Sequence, residues 1–276
     1  MMNIETCISF CEILIGVTGK RRSFEEAFFE AVKNSRFENV NRIYFGSNFC
    51  PQYFFYSCDY FLQKGMDFFR TNDMRATLCI PVFAEKFIKK GKLLIDKMIT
   101  AFPDLIDEIT VNDIGMLHYI SVRYKYIKLN LGRLFNKDAR DIRYPDYTEI
   151  AQIPALLTLD SSQWEKYKIN SIEFDGVNKT LFMDKSKTIP SLYFPYCYAT
   201  TGQICEFASI RLNVEKKFRP NLDCHAECMV TKMKFRTSRG IEYFKLGRTV
   251  YFKSECEIQG ADQYRKIYEP LELLED

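Results

Sequence analysis

Residues 107–132, DEITVNDIGMLHYISVRYKYIKLNLG, read as one strand, one helix and a second strand. In DEITVND (Asp107 to Asp113) β-branched and apolar residues run up to Asn112 and Asp113, two residues suited to ending a strand and starting a helix. The helix is expected from Ile114 to Tyr124, and YIKLNLG (Tyr126 to Gly132) forms the next strand. Two strands joined by a helix need a crossover connection, which favours parallel pairing and therefore an open α/β sheet or a (β/α) barrel.

The same alternation extends back toward the N-terminus. CISFCEILIGV (7–17) is an apolar strand, followed by a helix from Ser23 to Asn34 with Ser23 as N-cap and Glu25 and Glu26 in its first turn. NVNRIYFG (39–46) and MRATLCIPVF (74–83) supply further strands. Helices follow them, one drawn from 57–72 and one from about Lys89 to Ala101. Beyond residue 160 the pattern loosens into KINSIEFDG, SLYFPYCY, a long cysteine-bearing loop, MVTKMKFRT and the tightly joined pair IEYFKLG and RTVYFK. QYRKIYEP (263–270) is placed to close a barrel. The expected fold is a single α/β domain over 1–276 of (β/α) barrel type, with regular units over 1–160 and a loop-rich, cysteine-bearing part over 161–276.

Composition narrows the function classes. Aromatic residues make up 15% of the chain, with 24 Phe and 17 Tyr, and the pairs Phe28/Phe29, Phe54/Phe55 and Phe68/Phe69 fall mostly on helix faces as core. A net charge of +3 from 39 basic and 36 acidic residues does not indicate nucleic-acid binding, and the basic runs at 20–22 and 89–90 read as solvated faces. No run approaches a membrane span and the N-terminus lacks a signal-peptide pattern, so a cytoplasmic protein is expected. Neither a Gly-rich phosphate loop nor a His-Glu-x-x-His motif occurs. The two histidines, His118 and His225, read as bystanders.

The chain has ten cysteines, and in a reducing compartment these point to a metal centre rather than to disulfides. Cys224 and Cys228 in RPNLDCHAEC (219–228) can converge on one centre, with Pro220, Asn221 and Asp223 favouring a turn before them. Cys205 follows Gly202 in ATTGQICEFASI (199–210), and Cys50 ends IYFGSNFC (43–50) beyond the carboxyl end of a strand, where such folds place their chemistry. Cys197 and Cys256 compete with Cys50 for the fourth position, Cys7, Cys11 and Cys79 read as core thiols, and Cys58 is unassigned. Zinc and an iron-sulfur cluster both use such ligands, and the scatter of these, with one close pair, suits a cluster better. Asn112, Asp113, Arg133 and Asn136 all follow strands and would meet at one barrel mouth. There Arg133 could grip a carboxylate or, alternatively, pair with a helix-capping Asp113.

The run ITVNDIGMLHYI with YIKLNLGRLFNKDARDIRYPD resembles the core of the collagenase-like U32 peptidase family, through Asn112, Asp113, Gly115, Gly132, Arg133, Asn136 and Lys137. IYFGSNFC, Cys205 and RPNLDCHAEC look like its UbiV-type members. That resemblance implies a [4Fe-4S] cluster on Cys50, Cys205, Cys224 and Cys228, whereas a UbiU-type arrangement implies Cys197, Cys205, Cys224 and Cys256. It further implies an accessory role in oxygen-independent hydroxylation, with prephenate as oxygen donor, beside a second U32-like protein as heterodimer partner. An acidic small molecule would then be held by Asn112, Asp113, Arg133 and Asn136. The family name carries the alternative of a peptidase, and a metal that only staples loops of a non-catalytic interaction module is a third reading.

Overall fold

In the computed structural model the residues described are 5–19, 23–136, 161–177, 188–231, 233–238, 240–255 and 263–274. Eight parallel strands close into a barrel: β1 (Thr6–Ser9), β2 (Arg42–Gly46), β3 (Arg75–Ile80), β4 (Ile106–Val111), β5 (Lys128–Leu131), β6 (Ile169–Asp175), β7 (Ile189–Phe194) and finally β12 (Arg265–Tyr268). The eighth barrel strand comes from QYRKIYEP, and it pairs with β7 on one side and β1 on the other. Between β7 and β12 the chain inserts four antiparallel strands in the order β8 (Tyr196–Thr201), β11 (Thr249–Lys253), β10 (Glu242–Leu246) and β9 (Met233–Arg236). The expected (β/α) barrel with a cysteine-bearing C-terminal part is the fold observed.

Helices α1 (Leu14–Gly19), α2 (Phe24–Ser35), α3 (Pro51–Tyr60), α4 (Met66–Thr71), α5 (Glu85–Ala101) and α6 (Ile114–Arg123) lie between the early strands. Ser23 forms a full capping box with Glu26, which satisfies two amides that the first turn of α2 leaves without helical partners. Asp113 caps α6 by accepting from the Met116 amide at 2.7 Å. Phe24 explains much of the Phe content, since its ring meets those of Phe10, Phe61, Phe68 and Phe69. Of the six Phe residues assigned to helix faces, Phe28, Phe54, Phe55 and Phe69 are buried and Phe68 is partly so, whereas Phe29 is exposed.

Three expected elements differ. The strand read over 7–17 stops at Ser9, because the chain turns at Phe10–Ile13 with Glu12 in the left-handed region (φ 62°) and continues as α1. SLYFPYCY is two strands rather than one, split at Pro195, with β7 in the barrel and β8 in the inserted sheet. The helix drawn from 57–72 begins earlier, at Pro51, whose fixed φ suits a first helical turn.

The barrel interior is polar. Along β4 and β6 the buried residues alternate between Ile109, Val111, Ile172 and Phe174 toward the helices and Glu108, Thr110, Ser171, Glu173 and Asp175 toward the axis. Thr110 donates to Glu173 at 2.5 Å, and Arg265 reaches Glu108 at 2.7 Å and the Tyr44 hydroxyl at 3.0 Å. At the amino mouth Arg42, Arg75, Lys128 and Arg265, each the first residue of its strand, surround Glu5, Asp107 and Glu108. Burial alone would raise the Glu108 carboxyl, but Arg265 and Arg42 outweigh it and hold the group below the usual carboxylate range. Among the described residues no helix is long and apolar enough to cross a membrane.

Candidate metal centre

At the carboxyl mouth β2 ends in Gly46, whose φ of 96° and 2.4 Å approach of a would-be Cβ to the Cys79 carbonyl admit only glycine. The chain then crosses the mouth through Ser47–Phe49. Glu12, fully buried, holds this loop with one oxygen that accepts from the Ser47 hydroxyl at 2.5 Å and from the amides of Asn48 and Phe49 at 2.6 and 3.1 Å. Burial pushes its carboxyl above the ordinary range. The Ser47 hydroxyl in turn accepts from the Cys50 amide at 2.8 Å, so Cys50 arrives at the N-terminus of α3 in a defined position.

Cys205 occupies the same kind of position, before the short helix Glu206–Ser209. Cys224 and Cys228 flank Ala226, which takes a left-handed conformation (φ 60°) and bends the loop between them. The Tyr56 hydroxyl donates to the Cys224 carbonyl at 2.8 Å, while Gln52 and Lys86 hold Asp223 at 3.0 and 3.1 Å, tying this loop to the barrel helices. The fourth wall is the two-residue hairpin Gly247–Arg248 between β10 and β11, with glycine at its positive-φ first position. A Cβ on Gly247 would lie 3.8 Å from the Cys228 sulfur.

Together these elements make one cavity lined by all four of Cys50, Cys205, Cys224 and Cys228, with Tyr56, Gln203, Asn221 and Arg248 on its walls. Each sulfur lies near backbone amides that favour its thiolate: those of Tyr53 and Gln52 for Cys50, Ala208 and Phe207 for Cys205, Ala226 for Cys224, and its own for Cys228. Burial works the other way and is larger, raising all four thiols above the ordinary range, with Cys224 pushed up to about 12. Proximity to one another raises them further, Cys205 and Cys224 by Cys50, and Cys228 by the other three. Among the described residues no group of three or more His, Cys, Asp or Glu side chains is arranged to hold a single metal ion. The four thiols share the lining of one cavity.

The other cysteines lie elsewhere. Cys197 is enclosed with Tyr243 and Phe252 in the inserted sheet and does not line the cavity, and Cys256 falls outside the described residues. Cys7, Cys11 and Cys79 are buried in the barrel with Tyr44 and Tyr193, and Cys58 is buried on α3. His118 and His225 are both exposed.

Asn112, Asp113, Arg133 and Asn136 are gathered at the carboxyl mouth but do not line the cavity. Asn112 bonds the Ile80 carbonyl, Asn48 and the Leu134 amide, and Asn136 is buried beyond the turn Arg133–Phe135. Arg133 does grip carboxylates, but they belong to the chain. It is fully buried, meets Glu269 at 2.9 and 3.1 Å, pairs with Asp175, and reaches the Tyr196 carbonyl, while Tyr193 covers its face with the ring centre 4.2 Å away. Its donors are thus engaged within the chain by Asp175, Glu269 and the Tyr196 carbonyl, and Asp113 is not among these partners. Long-range partners such as Asp175 and Glu269 leave no local mark in the sequence. The hairpin signal in KLGRTV, by contrast, could have exposed Arg248 as the residue at a loop tip.

No protein-family model, curated protein or solved structure matches the chain.

Proposed function

We propose that this is an iron-sulfur protein in which Cys50, Cys205, Cys224 and Cys228 hold a [4Fe-4S] cluster at the carboxyl mouth of the barrel. The observation that carries the reading is the single cavity lined by four thiols from three distant stretches of chain. The amides beside each sulfur suit ligands that must be thiolates, since N–H to sulfur hydrogen bonds stabilise the charged form and tune a bound cluster. A cluster is preferred to zinc because the ligands are scattered along the chain with one close pair and because the resemblance to the U32 type implies a cluster.

Four cysteine ligands complete the coordination of four irons, so the group would supply electron transfer when bound. The residues of the chain then have three tasks: Glu12 and Ser47 position Cys50, the Tyr56 hydroxyl fixes the Cys224 loop, and Arg248 closes the remaining wall. The reaction class rests on the U32-type resemblance, which supports a part in oxygen-independent hydroxylation or a related modification beside a second protein of that type.

Anaerobic purification with iron and sulfide analysis tests the proposal. Iron and sulfide near four atoms each per chain are expected, lost in Cys50→Ser and Cys224→Ser and kept in Cys197→Ser. One zinc per chain with no sulfide would refute it.

A further inference from the structure

Three arginines buried in the barrel each have carboxylates of their own: Arg42 has Glu5 and Asp107, Arg265 has Glu5 and Glu108, and Arg133 has Asp175 and Glu269. Arg248 is the exception. It is half-buried on the wall of the cysteine cavity, and no carboxylate lies within ion-pair distance of it among the described residues. Its Nε donates to the Phe49 carbonyl at 2.7 Å, Nη2 donates to the same oxygen, and Nη1 reaches Asn221 Oδ1 at 3.3 Å. A guanidinium carries five N–H donors, so one on each terminal nitrogen has no protein acceptor among the described residues. Withdrawing such a cation from water without a paired counter-charge is unfavourable, and the groups near it that could become negative are first the sulfurs of Cys50 and Cys205 and then the buried Glu12, which is already held by Ser47 and two amides.

Resting on the iron-sulfur reading above, we infer that Arg248 is the counter-ion of the cluster and sets its reduction potential. Four thiolates on a [4Fe-4S] core leave the oxidised site with roughly two net negative charges, and one electron from an external reductant adds a third without a proton. A fixed positive charge beside the site stabilises the more negative, reduced form and so makes reduction easier. The side chain's position follows from the fold: the hairpin tip carries it to the mouth, and the Phe49 carbonyl, one residue before Cys50, fixes the guanidinium. Arg248 is thus a positioning and tuning residue rather than a catalytic one.

The test is a dithionite titration of the full chain, followed by electron paramagnetic resonance, with iron content and thermal midpoint measured on the same samples. Arg248→Gln should hold its iron and be about tenfold harder to reduce, about 59 mV for a one-electron couple. Arg248→Lys, which keeps the charge, should stay within about threefold of wild type. If Arg248→Gln cannot be loaded with iron, Arg248→His replaces it. Its potential should rise as the pH falls through about 6.5 while that of wild type stays flat. Potentials unchanged in both loaded variants, or equal loss of iron in Gln, Lys and His variants, would reduce Arg248 to a mechanical clamp and overturn the inference. A wild-type chain without iron and sulfide would instead refute the cluster itself.

Discussion

Asp107→Asn removes one negative charge from the ring at the amino mouth of the barrel. Asp107 accepts from Arg42 at 2.7 and 3.2 Å, from Arg75 at 2.9 Å and from Lys128 at 3.5 Å, and its side chain is 20% exposed. Burial works against ionisation, but Arg42 and then Arg75 and Lys128 outweigh it and bring the carboxyl from 3.8 to about 2. That depression corresponds to about 2 kcal/mol of stabilisation at neutral pH. Because the folded value lies below the unfolded one, the contribution is complete above about pH 4 and fades as the pH falls through 2, leaving roughly half at pH 3. Urea unfolding of wild type and Asp107→Asn, followed by circular dichroism at pH 7 and pH 3, should therefore give a loss of about 2 kcal/mol at pH 7 and about 1 kcal/mol at pH 3. The same loss at both pH values would show that hydrogen bonding rather than charge is at stake. A loss below about 0.5 kcal/mol at pH 7 would place this ring among ordinary surface ion pairs.

Gly132→Ala would set a Cβ 2.4 Å from Asn112 Oδ1 and displace the side chain that accepts from the Leu134 amide, so a loss of about 3 kcal/mol is expected in the same assay. Glu12→Ala strands two amides and a hydroxyl and should cost about 3 kcal/mol and, on the proposed iron-sulfur reading, iron content as well, whereas Glu12→Gln, which keeps an acceptor, should stay within about 1 kcal/mol of wild type. In the metal-free native protein, an alkylating reagent followed by peptide mass spectrometry should modify Cys205 and Cys224 first and leave Cys7, Cys58, Cys79 and Cys197 unreacted until unfolding. Modification of Cys79 at the rate of Cys205 would contradict the packing of the barrel interior.

The barrel was legible because its strands and helices differ in period. β4, α6 and β5 can be read from 107–132 alone, and the closing strand from QYRKIYEP, since each depends on local pattern. The end of β1 was not legible, because its reading as a longer strand rested on the apolar run through Ile13–Val17, and a buried helix carries the same run. The split at Pro195 depends on which sheet each half joins, a long-range matter. At the candidate site, residue type singled out the cysteines, and the structure gathers four of them around one cavity. What they share it with, Arg248 above all, comes from a hairpin whose own sequence says only that it turns. Arg133 shows the opposite limit: its position at the mouth was readable from β5, but its occupation by Asp175 and Glu269 was not.

The insertion between β7 and β12 also has a meaning in time. Cys50 leaves the ribosome roughly 150 residues before Cys205, a wait of about 10 to 30 s at ordinary elongation rates. The strand that closes the barrel emerges later than every cysteine of the cavity, so until then β1 and β7 both present open edges. The mouth of the barrel can therefore form only after β12 has emerged, and any group held by the four cysteines meets a closed barrel only from then on.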